Sequence, residues 1–216
     1  MVLQSSAIQI AILGVQQILN QPQPKSSVEL IFWYTSWIVS CMDAYSCIIS
    51  KLDVREFAPK GVPADLKLKI HEAARSTGSG MNLQHWRFIV VQGREELKKL
   101  ADDSTTGTWV AGCSFAVVVL TNPKYPFHLI DAGRVVQDMQ LAAWNFGVAS
   151  GVYTGVREEA VRKDFNIPRE TNPSIILGFG YPARKILGKR KNRKPLSELV
   201  FLDKYGNRFD PQKLGA

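Results

Sequence analysis

The sequence predicts an α+β fold, a central mixed β-sheet flanked by helices, and three observations point to it. Residues 86–91 and 115–120 are continuous apolar runs, short enough to be buried strands. Between them, residues 95–100 alternate charged and apolar side chains in the manner of an amphipathic helix. A third stretch, residues 128–146, carries Leu129, Ala132, Val136, Met139, Ala143 and Phe146 as one approximate helical stripe. With 216 residues, of which 45% are hydrophobic and 21% charged, the chain is long enough for one well-buried core and short for two.

Each element has its own local signal. Asp43 is placed to cap a first helix with Ala44, Cys47 and Ile48 on one face. Pro63-Ala64-Asp65 opens a second, with Leu66, Ile70, Ala73, Ala74 and Thr77 in register and Gly78 ending it. The long helix over 128–146 also has Leu141 and Trp144 opposite its stripe, so it reads as buried nearly all round, which in so small a chain suggests a dimer. Gly147 stops it. Residues 148–155 then form a Gly-rich strand or loop, 157–165 a short charged helix and 174–180 another strand.

Residues 1–41 differ from the rest, with Lys25 and Glu29 as the two charges and an apolar run at 28–41. No basic n-region or cleavage pattern marks a secretory signal. The run is interrupted by Thr35, Ser36 and Ser40 and falls short of the about 20 apolar residues that span a bilayer. The expected organisation is an N-terminal extension over 1–41 and a folded domain over 42–216, in a cytoplasmic protein without stable membrane association. A membrane-surface or dimer-contact helix is the sharper alternative for the extension.

The net charge of +8 favours an anionic ligand, although it would also attract nucleic acid nonspecifically. Cys41, Cys47 and Cys113 are odd in number and lack C-x-x-C spacing, and His71, His85 and His128 have no i,i+4 pairing. Neither a disulfide framework nor a metal centre is expected.

Four constellations remain. Lys51 and Arg55 flank Asp53 closely enough to converge on one phosphate, lysine as a point charge and arginine as a planar fork. Until other motifs are considered, solvated surface charge is the favoured reading of them. Gly78, Ser79, Gly80, Asn82 and Gln84 form an uncharged polar loop able to hydrogen-bond a flat ligand, while simple loop capping accounts for Asn82 and Gln84 as well. Trp86 reads as core. Small residues in 150–155, ending at Thr154 and Gly155, permit close backbone approach to a ring edge, or a bent strand. The basic residues Arg184, Lys185, Lys189, Arg190, Lys191, Arg193 and Lys194 suit a solvated loop, and they lack the interleaved aromatics of a single-strand nucleic-acid binder. No specific nucleic-acid partner is expected, and no G-x-G-x-x-G supports a Rossmann dinucleotide site.

Lys51-Leu52-Asp53-Val54-Arg55-Glu56-Phe57, the Asn82-Leu83-Gln84-His85-Trp86 loop, Gly180-Tyr181-Pro182 and Arg193-Lys194-Pro195-Leu196 together resemble the nitroreductase family of FMN-dependent oxidoreductases, over residues 42–202. His85 stands where that family usually has proline. The resemblance implies a nitroreductase-like homodimer. Lys51, Leu52 and Arg55 would hold the FMN phosphate and ribityl chain, Asp53 would accept from a ribityl hydroxyl or orient the cations, and Lys191 and Arg193 would complete the phosphate site. Gly78, Ser79 and Gly80 would lie against the flavin from the partner subunit, with Asn82 and Gln84 supplying amide hydrogen bonds. A main-chain N–H near Thr154 and Gly155 would face the N5 side.

By the same resemblance, NAD(P)H would give hydride to FMN, and a small-molecule electron acceptor such as a quinone or nitroaromatic would then take the electrons by a ping-pong mechanism. No side chain reads as a dedicated acid or base. A flavin-fragmenting or reductively dehalogenating relative is the alternative, since such members share the Asp-x-Arg opening. They generally carry a lid, and the segment 121–128 is short for one. From another class, a basic RNA- or DNA-binding protein would rest on the run at 189–194.

Overall fold

One strand, Phe115–Thr121 (β2), is apolar at nearly every position and organises the two layers packed on either side of it. All seven of its residues are buried, as expected of a strand covered on both faces. Phe115, Val117 and Val119 join a cluster with Ile70, Ala74, Ala132, Val135 and Met139. Ala116, Val118 and Leu120 point the other way, into a cluster with Leu97, Leu100, Val110 and Val161. The period of two along a strand thus feeds two cores from one segment.

This computed structural model describes residues 42–184, 186 and 191–214. Among them, β2 is flanked by Arg87–Gln92 (β1) and Asn172–Gly180 (β4), and Ala149–Tyr153 (β3) pairs with β4, giving the order β1-β2-β4-β3. Every strand pairing is antiparallel. The parallel component of the expected mixed sheet is confined to an isolated bridge between Asp53 and Ser150 at the β3 edge. The described residues also form six α-helices: Ala44–Ser50 (α1), Ala64–Ser76 (α2), Arg94–Asp102 (α3), His128–Asn145 (α4), Glu158–Asp164 (α5) and Leu196–Leu199 (α6).

The helix ends follow the expected chemistry. Asp43 accepts the Ser46 N–H at 3.0 Å and its hydroxyl at 2.6 Å, capping α1. Pro63 precedes α2 and Thr77 closes it. Gly147 takes a φ of +71° directly after α4, a conformation that favours glycine.

Helix α4 departs from the expected all-round burial. Its covered face is Asp131, Ala132, Val135, Val136, Met139, Gln140 and Ala143, two of them polar. Leu129 and Ile130 are 56% and 68% exposed, so the expected stripe holds at Ala132, Val136, Met139 and Ala143 and fails at its first residue. Tyr45, Ile48 and Ile49 on α1 are exposed as well, and only Cys47 of that helix is buried. The expectations for residues 1–41 and for Lys185, Lys189 and Arg190 lie outside the described residues. Among the described residues no helix is long and apolar enough to cross a membrane.

Phe115 stacks on Phe179 of β4 with ring centroids 4.8 Å apart and planes within 10°. Replacing Phe115 with Ala should cost about 3–5 kcal/mol, measured by urea denaturation. A loss below about 1 kcal/mol would mean that the core does not depend on this strand.

Candidate functional site

The segment after α1 is held as an extended ribbon along one end of the sheet. Val54 N–H donates to the Ser150 carbonyl at 2.8 Å, Ala58 N–H to Tyr181 at 2.8 Å, and Ala183 N–H to Glu56 at 3.0 Å. Gly151 allows this closeness, because a Cβ there would stand 2.5 Å from the Val54 carbonyl and 2.8 Å from the Trp109 ring. The ribbon thereby fixes Lys51, Leu52, Asp53 and Arg55 relative to the scaffold.

Lys51 is 9% exposed, and a buried ammonium needs compensation. Its Nζ donates to Asp53 Oδ1 at 2.8 Å and to Gln140 Oε1 at 2.9 Å. The Gln140 amide nitrogen donates in turn to Asp53 Oδ1 at 3.0 Å and to Ser150 Oγ at 3.1 Å. A closed network therefore joins α1, α4 and β3. Burial raises the Asp53 pKa, but the hydrogen bonds and charges of Lys51, with Gln140 and Arg55, outweigh it and hold the carboxyl below its ordinary range.

Lys191 of the late basic pair reaches the end of α1, close to Lys51. Lys191 Nζ donates to the Ile48 carbonyl in the last turn of α1. Burial lowers the Lys191 pKa, and the charges of Arg193 and Lys51 lower it further, with Asp53 opposing them. Lys191 and the Lys51–Asp53 pair, far apart in sequence, thus share one electrostatic neighbourhood, with Arg193 two residues from Lys191. Arg55 completes it, its guanidinium carbon 6.0 Å from the Trp109 ring centroid. A cleft of about 410 Å³ lies beside Asp53 and Arg55, lined also by Pro182, Arg184 and Ile186. Arg184 is paired with Glu56 at 2.9 Å. Such an excess of cations around one carboxylate is suited to a multiply charged anion.

The polar loop is placed differently. Gly80 N–H donates to both Asp131 oxygens, at 3.2 and 3.0 Å, and Gln84 N–H to Ser79 Oγ at 2.9 Å. The Gln84 amide nitrogen donates to the carbonyl and the side-chain oxygen of Asn82, both at 3.2 Å, which is the loop-capping arrangement. Asn82 and Gln84 are exposed. Gly78 backs onto Arg134 and Gly80 onto Phe127, where a Cβ would come within 2.5 and 2.6 Å respectively. Trp86 is buried in the core, as its apolar surroundings in sequence implied.

Loop and cation cluster do not meet within one chain. Each is fastened to α4, the loop at Asp131 and the cluster at Gln140, and nine residues of helix set these roughly 14 Å apart. Thr154 is exposed, and Gly155 packs against the Thr105 and Thr106 hydroxyls, where a Cβ would come within 2.5 Å. The Gly155 carbonyl accepts the Thr105 N–H at 2.8 Å, so this smallness serves chain packing.

Gln140 and Asp131 were missed by sequence reasoning, and Ser150 was read only as the start of a small-residue segment. Their signal was present as polar residues interrupting apolar segments, Gln140 and Asp131 on the covered face of α4 and Ser150 on β3. Among the described residues there is no group of three or more His, Cys, Asp or Glu side chains able to hold a metal ion.

The nitroreductase family profile matches residues 49–121 and 109–181. A Methanothermobacter thermautotrophicus protein, provisionally named NADH dehydrogenase/NAD(P)H nitroreductase, is 33% identical over 154 residues, 67% of this chain and 80% of the relative. Iodotyrosine deiodinase of Thermotoga neapolitana is 24% identical over 164 residues, 64% of this chain and 88% of that protein. The solved structure of an FMN-dependent nitroreductase from Clostridium difficile superposes with a TM-score of 0.67 at 20% identity, covering 74% of this chain and 98% of the other, a likeness of fold. The motif spacing, the sheet topology and the matched span agree: the chain belongs to the nitroreductase family and is an oxidoreductase.

Proposed function

We propose that the protein is an FMN-dependent oxidoreductase that takes hydride from NAD(P)H and passes electrons to a quinone, nitroaromatic or similar small acceptor. The observation that carries this reading is the placing of Lys51 on Asp53, with Arg55 beside them and Lys191 against the last turn of α1. The donor set suits FMN. Its cations match a phosphate dianion, and the Asp53 carboxylate, fixed by Lys51 and Gln140, is an acceptor for a ribityl hydroxyl. Bound there, FMN would supply the two-electron redox chemistry.

The chain's own residues bind and orient. Lys51 and Lys191 contribute point charges, Arg55 and Arg193 planar forks, and Gln140 keeps Lys51 and Asp53 in register. The loop at 78–84 lies too far along α4 to reach the cations of its own chain. By the family resemblance it would border the flavin of a second copy, in a homodimer that also covers the exposed Leu129, Ile130, Ile48 and Ile49. Residues 1–41 carry no part of either group and are proposed to be dispensable for catalysis. A second reading, reductive dehalogenation or flavin fragmentation, draws support from the deiodinase relative. The short connection between β2 and α4, residues 122–127, favours the reductase, because it leaves little chain for a lid.

Arg193→Ala and Arg55→Ala should each weaken FMN retention by on the order of 1.5 to 3 kcal/mol, read by fluorescence titration. Unchanged affinity in both variants would remove the cation cluster from the site. A dianion favours the charged form of Lys191, whose pKa is depressed in the free protein. FMN affinity should accordingly fall as pH rises, beginning below the pH at which an ordinary lysine titrates, and Lys191→Arg should flatten that fall. An identical pH profile in the variant would show that Lys191 does not face the phosphate. Initial rates at varied NAD(P)H and acceptor should give parallel double-reciprocal lines, since one site serves both substrates in turn. Intersecting lines would indicate a ternary complex instead.

A further inference from the structure

His85 stands at a proline position of the family pattern, and its side chain is 3% exposed against an Asp131 side chain that is 2% exposed. Such a pair has to be hydrogen-bonded to be tolerated. Nε2 lies 3.1 Å from Asp131 Oδ2, and Nδ1 accepts the Asn122 N–H at 3.4 Å. The Asn122 bond leaves Nδ1 without a proton, so the ring proton sits on Nε2 and is donated to Asp131. The same carboxylate accepts the Gly80 N–H with both oxygens and has Arg134 Nη1 at 3.5 Å. Tyr125, Phe127 and Trp86 surround the imidazole at centroid distances of 5.2, 6.1 and 5.9 Å.

Backbone geometry explains why a side chain takes over here. Met81, Asn82 and Gln84 have φ of +51°, +55° and +47°, three left-handed residues without glycine. A proline at 85 would drive Gln84 toward the extended region, against its observed conformation. The loop therefore follows a path that proline would oppose, and something else must hold it.

We propose that His85 and Asp131 form the positioning pair of the 79–84 loop, with one carboxylate fastening the loop near its start at Gly80 and at its end at His85. His85 acts through the loop and is a positioning residue. The functional weight of the pin rests on the reading that the loop borders the FMN site of the partner subunit, but the pin itself does not.

Amide hydrogen exchange on the flavin-free full chain tests it first. His85→Phe keeps the aromatic packing and removes both imidazole bonds. Exchange at Gly80 and Gln84 should speed up about tenfold or more, the order expected for losing a charge-assisted hydrogen bond, while core amides of β2 stay unchanged. His85→Gln, which offers a donor and an acceptor, should restore protection to within about threefold, and His85→Pro should not. If His85→Phe fails to fold, Asp131→Asn carries the test with the same expectation at Gly80. Unchanged exchange in the folded variant, or full restoration by proline, overturns the pin. FMN titration of the same variants is the second readout. Faster loop exchange with a parallel loss of FMN affinity supports both pin and site. Faster exchange at undiminished affinity upholds the pin and overturns only the placing of the loop at the flavin.

Discussion

A buried ammonium is the constraint from which the site follows. Removing a lysine charge from water costs several kcal/mol unless partners replace the lost hydration, and Lys51 is nearly inaccessible. Asp53 and Gln140 replace it, and Ser150 fixes Gln140. Satisfying one charge thus couples the exit of α1, the middle of α4 and the edge of β3. That coupling turns a run of surface-like charges into a fixed constellation. Lys191 then donates to the last turn of α1, adding a charge near Lys51 that an anion would offset.

Helix α4 links the scaffold to function. One face packs Ala132, Val135, Met139 and Ala143 onto the sheet, and the same face carries Asp131 and Gln140, which hold the loop and the cation cluster. Their separation along the helix keeps the loop and the cation cluster roughly 14 Å apart within one chain. The exposed apolar residues at the start of α4 and along α1 are the surface that the proposed second copy would cover.

Much of the fold was legible because its signals are local. The apolar runs of β1, β2 and β4, the Asp43 cap and the stop at Gly147 all depend on neighbours within a few residues. The face of α4 was misjudged because the real buried stripe contains Asp131 and Gln140, which a hydrophobic count skips, and omits the exposed Leu129. The all-antiparallel sheet was hidden for a different reason: strand direction depends on the chain path, which periodicity does not encode. In the site, Lys51, Asp53 and the Lys191–Arg193 pair could be named from spacing through the family resemblance. Gln140 could not, since an amide 89 positions from Lys51 becomes its partner only in three dimensions. At Gly155 the small size also answers to packing, since a Cβ there would meet the chain's own threonines, a contact that spacing does not reveal.

The central claim is that the cation cluster recognises a phosphate. Comparing FMN with riboflavin, which lacks only that group, tests it most directly, by titration calorimetry on the flavin-free protein at low and high salt. Two charge-assisted bonds at about 1.5 to 3 kcal/mol each predict that FMN binds at least about 100-fold tighter at low salt, with the gap narrowing as salt screens the cluster. Equal affinity for the two flavins at low salt would contradict the account.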